Sequence, residues 1–374
     1  MKNIVQLGDV ATYINGYAFK PSDWSTDGVP IIRIQNLTGN SSQINYFNGE
    51  YDSKFEVQSG DVLISWSASL GVYIWHDTKA VLNQHIFKVC FDKVDIDKDF
   101  FVYQVENILQ KATSQAHGAT MRHLTRPIFN SLPFYLPPKD EQIRIARKLA
   151  LVSSVISKKE KELHKLDELV ESRFIEMFGD LISSPKFPGI EFGTLGEMIT
   201  GGTPSSKKSE YYGGDIPFVS TPSLGKNYIS REDAQNYLTE LGVKNSTTHL
   251  IPANSLMIGN RVGVGKSSIN TCDMCTNQDI LSFVHINIEK YDLLFLKNVI
   301  DQYLPYYESV KRGATIKGVP AKVIKSSLVP NVSLNMQKKY TSFVRETDKS
   351  KLAIQKSLDE LETLKKSLMQ QYFG

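Results

Sequence analysis

Cysteine is scarce in this 374-residue chain. Cys90, Cys272 and Cys275 are an odd number, too few for a disulfide framework, and they point to a reducing compartment. Long apolar runs are missing: nothing approaches the roughly 20 residues of a membrane span, and the first residues hold no signal-peptide core. The chain therefore reads as cytoplasmic. Neither charge sign dominates, since 43 Lys and Arg against 40 Asp and Glu leave a net charge of +3. That balance is compatible with nucleic acid without arguing for it. Catalytic signatures are absent as well: no nucleophile elbow, no His-Glu-x-x-His helix and no paired carboxylates in a pocket motif. Apolar residues still make up 41% of the chain. That is enough to bury real cores, and the length suggests two to three domains.

What the chain does have is itself, twice. His117-Gly118-Ala119-Thr120, a Pro-broken segment and a long charged stretch ending Phe178-Gly179 return as Arg312-Gly313-Ala314-Thr315 and a stretch ending Phe373-Gly374. Gly118 and Gly313, like Gly179 and Gly374, stand 195 residues apart (313 − 118 and 374 − 179). Asn83-Gln84 answers Asn277-Gln278, and Asp61 to Ile64 answers Ser255 to Ile258, both at 194. Leu7-Gly8-Asp9 is paired with Leu195-Gly196-Glu197 at 188. Two copies are too few for a solenoid and imply an internal duplication with approximate two-fold symmetry.

Residues 1–138 form the first block. Its short apolar runs, Val29 to Ile34, Asp61 to Ser65 and His85 to Val89, are bounded by Gly, Asn and Asp and predict strands, with one helix near Asp99 to Ala112. Residues 139–179 predict a long helix without Pro or Gly before its terminal Gly179. Apolar residues recur there every seven positions, at Leu149, Ile156, Leu163, Val170 and Met177, the seam of a coiled coil. Residues 180–334 hold a Pro-containing linker, to about 190, and a second block. Residues 335–374 repeat the helix, with a less regular seam at Leu352, Leu358, Leu361, Leu364, Leu368 and Tyr372. The fold class expected is α+β: two homologous mixed α/β blocks on two long helices that pair as an antiparallel coiled coil.

Two motifs invite chemistry and fail. Gly259 to Ser267 resembles a phosphate loop, but five residues separate Gly259 from Gly265 where such a loop has four. At 194 its counterpart is Ser65 to Val72, which sets Val72 against Lys266. Cys272-x-x-Cys275 has half of a zinc spacing without a second pair, and its counterparts are Thr78 and Val81. No metal site is expected.

Four features together resemble a known family. Pro137-Pro138-Lys139-Asp140-Glu141-Gln142-Ile143-Arg144-Ile145 is similar to the opening of the conserved helix in specificity subunits of type I restriction-modification systems. Gly118-Ala119-Thr120 and Gly313-Ala314-Thr315 resemble that family's Gly-small-Thr segment. Gly202-Thr203-Pro204-Ser205, followed by Tyr211-Tyr212, Gly214 and Ile216-Pro217, resembles the entry of a target-recognition domain. The order of block, helix, block and helix spans the chain. Two departures stand out: the second helix opens Leu334-Asn335-Met336-Gln337 without the Glu, and the first block has Gly16-Tyr17-Ala18-Phe19 in place of Gly-Thr-Pro. The resemblance implies a non-catalytic subunit whose blocks bind the halves of an asymmetric bipartite site on double-stranded DNA. It also implies that the helices recruit two methyltransferase subunits, with motor-nuclease subunits in the complex. S-adenosylmethionine, ATP and Mg would sit on those partners and no cofactor on this chain. The competing reading is a duplicated adaptor or scaffold with protein- or glycan-binding blocks.

Base readout uses Arg or Lys for guanine and Asn or Gln for adenine, while phosphates take basic side chains, hydroxyls and backbone amides. On that chemistry the first block offers Lys20, Arg33, Gln35, Asn36, Trp66, Gly118, Thr120, Arg122, His123 and Arg126. The second offers Thr203, Ser205, Lys207, Lys208, Ser223, Lys226, Asn260, Arg261, Lys266, Arg312, Gly313, Thr315 and Lys317. Asn83-Gln84 and Asn277-Gln278 recur in both copies and suit a shared turn. Glu141, Gln142, Ile145, Leu149 and Gln337 are the candidate partner contacts.

Overall fold

The structure, a computed structural model, describes residues 3–39, 43–67, 69–115, 125–313 and 317–374. Gly118, Thr120, Arg122, His123 and Thr315 lie outside the described residues. The chain divides into two compact units, Met1–Lys161 with Lys356–Gly374, and Glu162–Gln355.

Each unit is built on two sheets of matching topology. In the first, Thr12–Asn15, Ile86–Cys90, Val62–Ser65 and Gly71–Ile74 lie side by side in an antiparallel sheet. A second sheet orders Asn45–Phe47, Val29–Ile32, Ala80–Leu82 and Glu56–Val57, with Ile31 facing Val81 in a parallel pair. The second unit repeats this. Glu197–Thr200, Ile280–Val284, Leu256–Gly259 and Ser267–Asn270 form one sheet, with Tyr228–Ile229 added at its edge. Asn236–Leu238, Tyr212–Val219, Met274–Thr276 and Leu250–Ile251 form the other, where Phe218 faces Cys275 in parallel. The central strands are mostly apolar because both faces are covered, with Ser65, Lys88, Thr276 and Ser282 among the exceptions. Leu256 and Ile258 enter one core with Phe283, while Met257 between them enters another with Val284.

The structural register corrects one sequence pairing. Leu7–Asp9 and Phe192–Thr194 are the matching 3-10 turns, 185 residues apart (192 − 7), so Leu195-Gly196-Glu197 is not the counterpart of Leu7-Gly8-Asp9. Leu7 N donates to Leu132 O and Phe192 N to Ser327 O, each at 2.8 Å. A Cβ on Gly8 would come within 2.9 Å of Asn130 Cβ, and one on Gly193 within 2.8 Å of Lys325 Cβ. Backbone pairing, rather than side-chain identity, is what the copies share here.

The long helices run Lys139–Phe178 and Leu334–Phe373, 40 residues each. Gly179, at φ +83°, ends the first in the left-handed conformation glycine favours. The linker after it is ordered: Gly179–Asp180 pairs with Ser184–Pro185, and Asp180 accepts from the amides of Ile182 and Ser183, which holds its carboxyl below the ordinary range. Within the second unit Asp167 meets Lys351 at 2.5 Å, the Arg173 guanidinium lies 5.9 Å from the Phe343 ring, and Phe174 packs edge-on against Tyr340. Later residues of one helix meet earlier residues of the other, which is antiparallel register. In the first unit Ile145 and Leu149 share a core with Met369 and Phe373. Leu352 and Leu364 were expected on the seam and are 73% and 46% exposed. Leu358, also on the predicted seam, is buried, and so are Val344 and Thr347, which lie outside the leucine pattern.

Candidate nucleic-acid interface

In both units the loops that carry the candidates leave one end of the sheets. In the second unit Thr200 pairs with Leu281 and Gly259 with Ile280, so the segments after Thr200, after Gly259 and before Ile280 emerge together. Asn277 N donates to Val219 O, which brings the end of the neighbouring sheet to the same place. The first unit is equivalent: Asn15 pairs with Phe87, Ser65 with Ile86, and Asn83 N donates to Ile32 O. Gly16 and Gly201 sit where a Cβ would come within 2.2 Å of the Asn83 and Asn277 carbonyls. Asn83 and Asn277 thus brace a turn common to both copies, receiving Ile86 N and Ile280 N at 3.2 Å.

The first unit's candidates are mostly engaged with the chain itself. Arg33 donates to Asn45 Oδ1 at 3.0 Å and lies 4.9 Å from the Trp24 ring centre. Asn36 caps Arg33 N at 3.1 Å and donates to Gln43 O. Gln35 is half-buried beside them. Trp66 stacks on Phe87, with its indole N–H buried and lacking a partner among the described residues. It is a packing residue rather than a base reader, because its ring is committed to the core. Lys20 and Arg126 are exposed.

In the second unit, Thr203 hydrogen-bonds Gln278, and Ser205, Lys207 and Lys208 are exposed on the same segment. The Tyr211 hydroxyl beside Lys208 raises the lysine's pKa. Ser223 is turned inward and is not placed to contact DNA. It is 9% exposed, donates to Asp233 O and accepts from Gln235, both at 2.6 Å. Lys226 pairs with Asp233 at 2.6 Å and holds that carboxyl below its usual range. Lys266 crosses Gly263 and lines a cavity of ≈ 680 Å³, where Lys297 and Asp301 form an ion pair at 2.7 Å.

Asn260, Arg261, Arg312, Gly313 and Lys317 come together. Val319 N donates to Asn260 O at 2.7 Å, Arg312 and Gly318 exchange backbone hydrogen bonds, and a Cβ on Gly318 would press on Arg261. The Gly-rich segment is a turn between two antiparallel strands, not a strand-to-helix phosphate loop. Gly259 N donates to Lys266 O, so Lys266 stands where Gly71 stands opposite Ser65, and Val72 is not its counterpart. Cys275 is buried with Phe218 and Leu238, as Val81 is with Ile31 and Phe19, and burial pushes its thiol up to about 11. Sequence reading overlooked Asp279, which faces Arg261 at 3.7 Å, and Val262, 50% exposed at the loop tip. An apolar residue between Arg261 and Gly263 was the available signal for the latter.

Four of the five proposed partner contacts are interior. Gln142 and Gln337 are 2% and 1% exposed, and Ile145 and Leu149 are fully buried. Gln142 accepts from Asp97 N and donates to Pro137 O, both at 2.8 Å. Gln337 does the same 195 residues later, accepting from Asp292 N at 2.9 Å and donating to Val332 O at 3.1 Å. The glutamine of each copy thus ties the start of its long helix to the entry of the preceding helix, and it presents nothing to a partner. Glu141 alone is partly exposed, 3.4 Å from Arg144.

A family model for the type I restriction modification DNA specificity domain matches residues 2–168 and 189–364. Over 181 residues the chain is 29% identical to the EcoR124I/EcoR124II specificity subunit of Escherichia coli, covering 46% of this chain and 44% of that protein. Over 158 residues it is 26% identical to the MjaIX specificity subunit of Methanocaldococcus jannaschii, covering 41% and 36%. The matched segments thus span less than half the length of these relatives. The S subunit of the type I restriction-modification system from M. genitalium superimposes with a TM-score of 0.53 at 15% identity, over 100% of this chain and 96% of that one. A chain from a type I R-M assembly superimposes at 0.60 and 14% identity, over 99% and 97%. Both share the fold. With each of its two repeats matched, the chain belongs to the type I restriction-modification DNA specificity family.

Proposed function

We propose that this chain is the DNA-reading subunit of a type I restriction-modification complex and carries no catalytic residue itself. Each unit binds one half of an asymmetric bipartite site on double-stranded DNA. The observation that supports this reading is the contrast at the common sheet end. The bracing residues repeat, Gly16 with Gly201 and Asn83 with Asn277, while the equivalent loops differ in side chains: the first opens with a core-packed Trp66 and the second carries an exposed Arg261. A shared scaffold with divergent loops suits two half-sites of different sequence. Two methyltransferase subunits and motor-nuclease subunits complete the complex, and S-adenosylmethionine, ATP and Mg belong to them. Partner docking falls to exposed helix positions such as Glu141, since its buried neighbours are committed to the fold.

The test is a methylation map. With its methyltransferase partner in a host lacking other adenine methylation, the chain should direct a bipartite motif. Exchange of residues 190–334 for another family member's block should change one half only. No bipartite motif, or a change in both halves, refutes the proposal. Binding by the complex should also weaken steeply with salt.

A further inference from the structure

The turn after Gly259 carries one arginine of the second unit on a braced loop. Arg261 lies on a loop closed by Gly265 N donating to Gly259 O at 2.8 Å and Lys266 N to Gly263 O at 3.1 Å. It is fixed from outside by Asn260 N donating to Asp279 O and Val319 N to Asn260 O. Gly263 and Gly265, at φ +62° and +75°, make that turn possible. The loop is therefore preorganised, which lowers the entropy lost on binding. The Arg261 side chain is 54% exposed, and its recorded partner among the described residues is Asp279 at 3.7 Å, too long for a strong hydrogen bond. Beside it Val262 places an exposed apolar side chain at the loop tip.

Of the neighbouring cations, Lys226 is paired with Asp233 and Lys208 is held by Tyr211, while Lys207, Lys266, Arg312 and Lys317 are exposed. The first unit has no arginine at this place, since Trp66 opens the equivalent loop and packs on Phe87.

We propose that Arg261 is a specificity-determining residue that reads one guanine in the half-site of the second unit, with Val262 against an adjacent base, and that Asp279 aims its guanidinium in the unbound protein. A planar guanidinium donates two parallel hydrogen bonds to guanine O6 and N7 in a fixed fork, whereas lysine, which also suits guanine, offers a flexible point charge and should hold the base less strictly. A nearby thymine methyl is the base feature an exposed valine suits. The inference rests on the DNA-reading function proposed above.

The experiment maps adenine methylation by the intact complex carrying wild type, R261A, R261K or D279A. The wild type should give a bipartite motif; if it gives none, the underlying function fails as well. R261A and R261K should each make one guanine of one half-site degenerate, with a roughly ten- to hundred-fold loss of discrimination there and the other half unchanged. D279A should keep the same guanine with reduced methylation. An unchanged motif in R261A overturns the assignment. Should R261A abolish methylation throughout, R261K decides: a restored but degenerate motif supports it, and a restored, unchanged motif marks a phosphate contact and overturns it. Loss of all methylation in both arginine variants also overturns it, because a single base contact is too weak to cause that.

Discussion

Replacing Gln337 with leucine tests whether the glutamine is a structural brace. The substitution nearly conserves volume but deletes the amide that accepts from Asp292 N and donates to Lys290 O and Val332 O. Asp292 caps the helix Leu293–Gln302 by accepting from Leu294 N and Phe295 N, and it also bonds Thr341. Three hydrogen bonds at ~1 kcal/mol each, partly offset by the apolar burial the leucine gains, give ~2–4 kcal/mol. For a unit of this size that is a fall in Tm of roughly 5–12 °C. Denaturant unfolding of the full chain measures the energy. Amide exchange in peptides spanning residues 290–302 localises it, because the helix entry should lose protection first. The matching Gln142→Leu should act on the residues around Asp97 and leave 290–302 protected. A Q337L protein within 0.5 kcal/mol of wild type, with unchanged exchange at 290–302, would refute the reasoning.

Gly193→Ala should destabilise the second unit by roughly 1–3 kcal/mol, since its Cβ would overlap Lys325 Cβ, and thermal melts check this. Leu352→Ala, on a side chain 73% exposed, should stay within about 0.5 kcal/mol, while Leu358→Ala should cost roughly 2–4 kcal/mol. Cys275→Val should be tolerated to within about 1.5 kcal/mol, because Val81 already fills that place in the other copy. Native Cys275 should resist alkylation at pH 8 until the protein unfolds, as mass spectrometry of labelled peptides would show. Asp233, its folded pKa depressed by Lys226 and by Ser230 N–H, stabilises the fold above the unfolded carboxylate value, and that stability is lost as pH falls through the lower folded value. The deficit of Asp233→Asn seen in denaturant titrations at pH 7 should accordingly vanish in strong acid.

Some of this architecture is written locally and some is not. The first long helix could be bounded to the residue, because Pro138 precedes it, Gly179 follows and neither residue type interrupts the forty between. Strands such as Val62–Ser65 showed as apolar runs. The parallel pairs Ile31–Val81 and Phe218–Cys275 could not be read, since partners some fifty residues apart leave no mark on local pattern. The glutamines misled for a related reason. A polar residue at the head of a helix suggests an exposed contact, and only the tertiary fold shows three backbone groups waiting for its amide. Leucine spacing likewise overcounted the second seam: Leu352 and Leu364 stand exposed, while Val344 and Thr347, outside the leucine pattern, are buried.

The duplication gives each position its own control. Where both copies place the same group in the same bond, as with Gln142 and Gln337 or Gly8 and Gly193, the fold itself accounts for the residue. Where the backbone is matched and the side chain is not, the fold accounts only for the place. Trp66 and Asn260 open equivalent turns, yet one turn buries its ring and the other carries an exposed guanidinium one residue on. Stability cannot explain that difference, because both sheets already end in the same braced geometry. On the function proposed above, the arginine answers to DNA whose two halves differ in sequence, a partner that would keep the turns alike and their side chains apart.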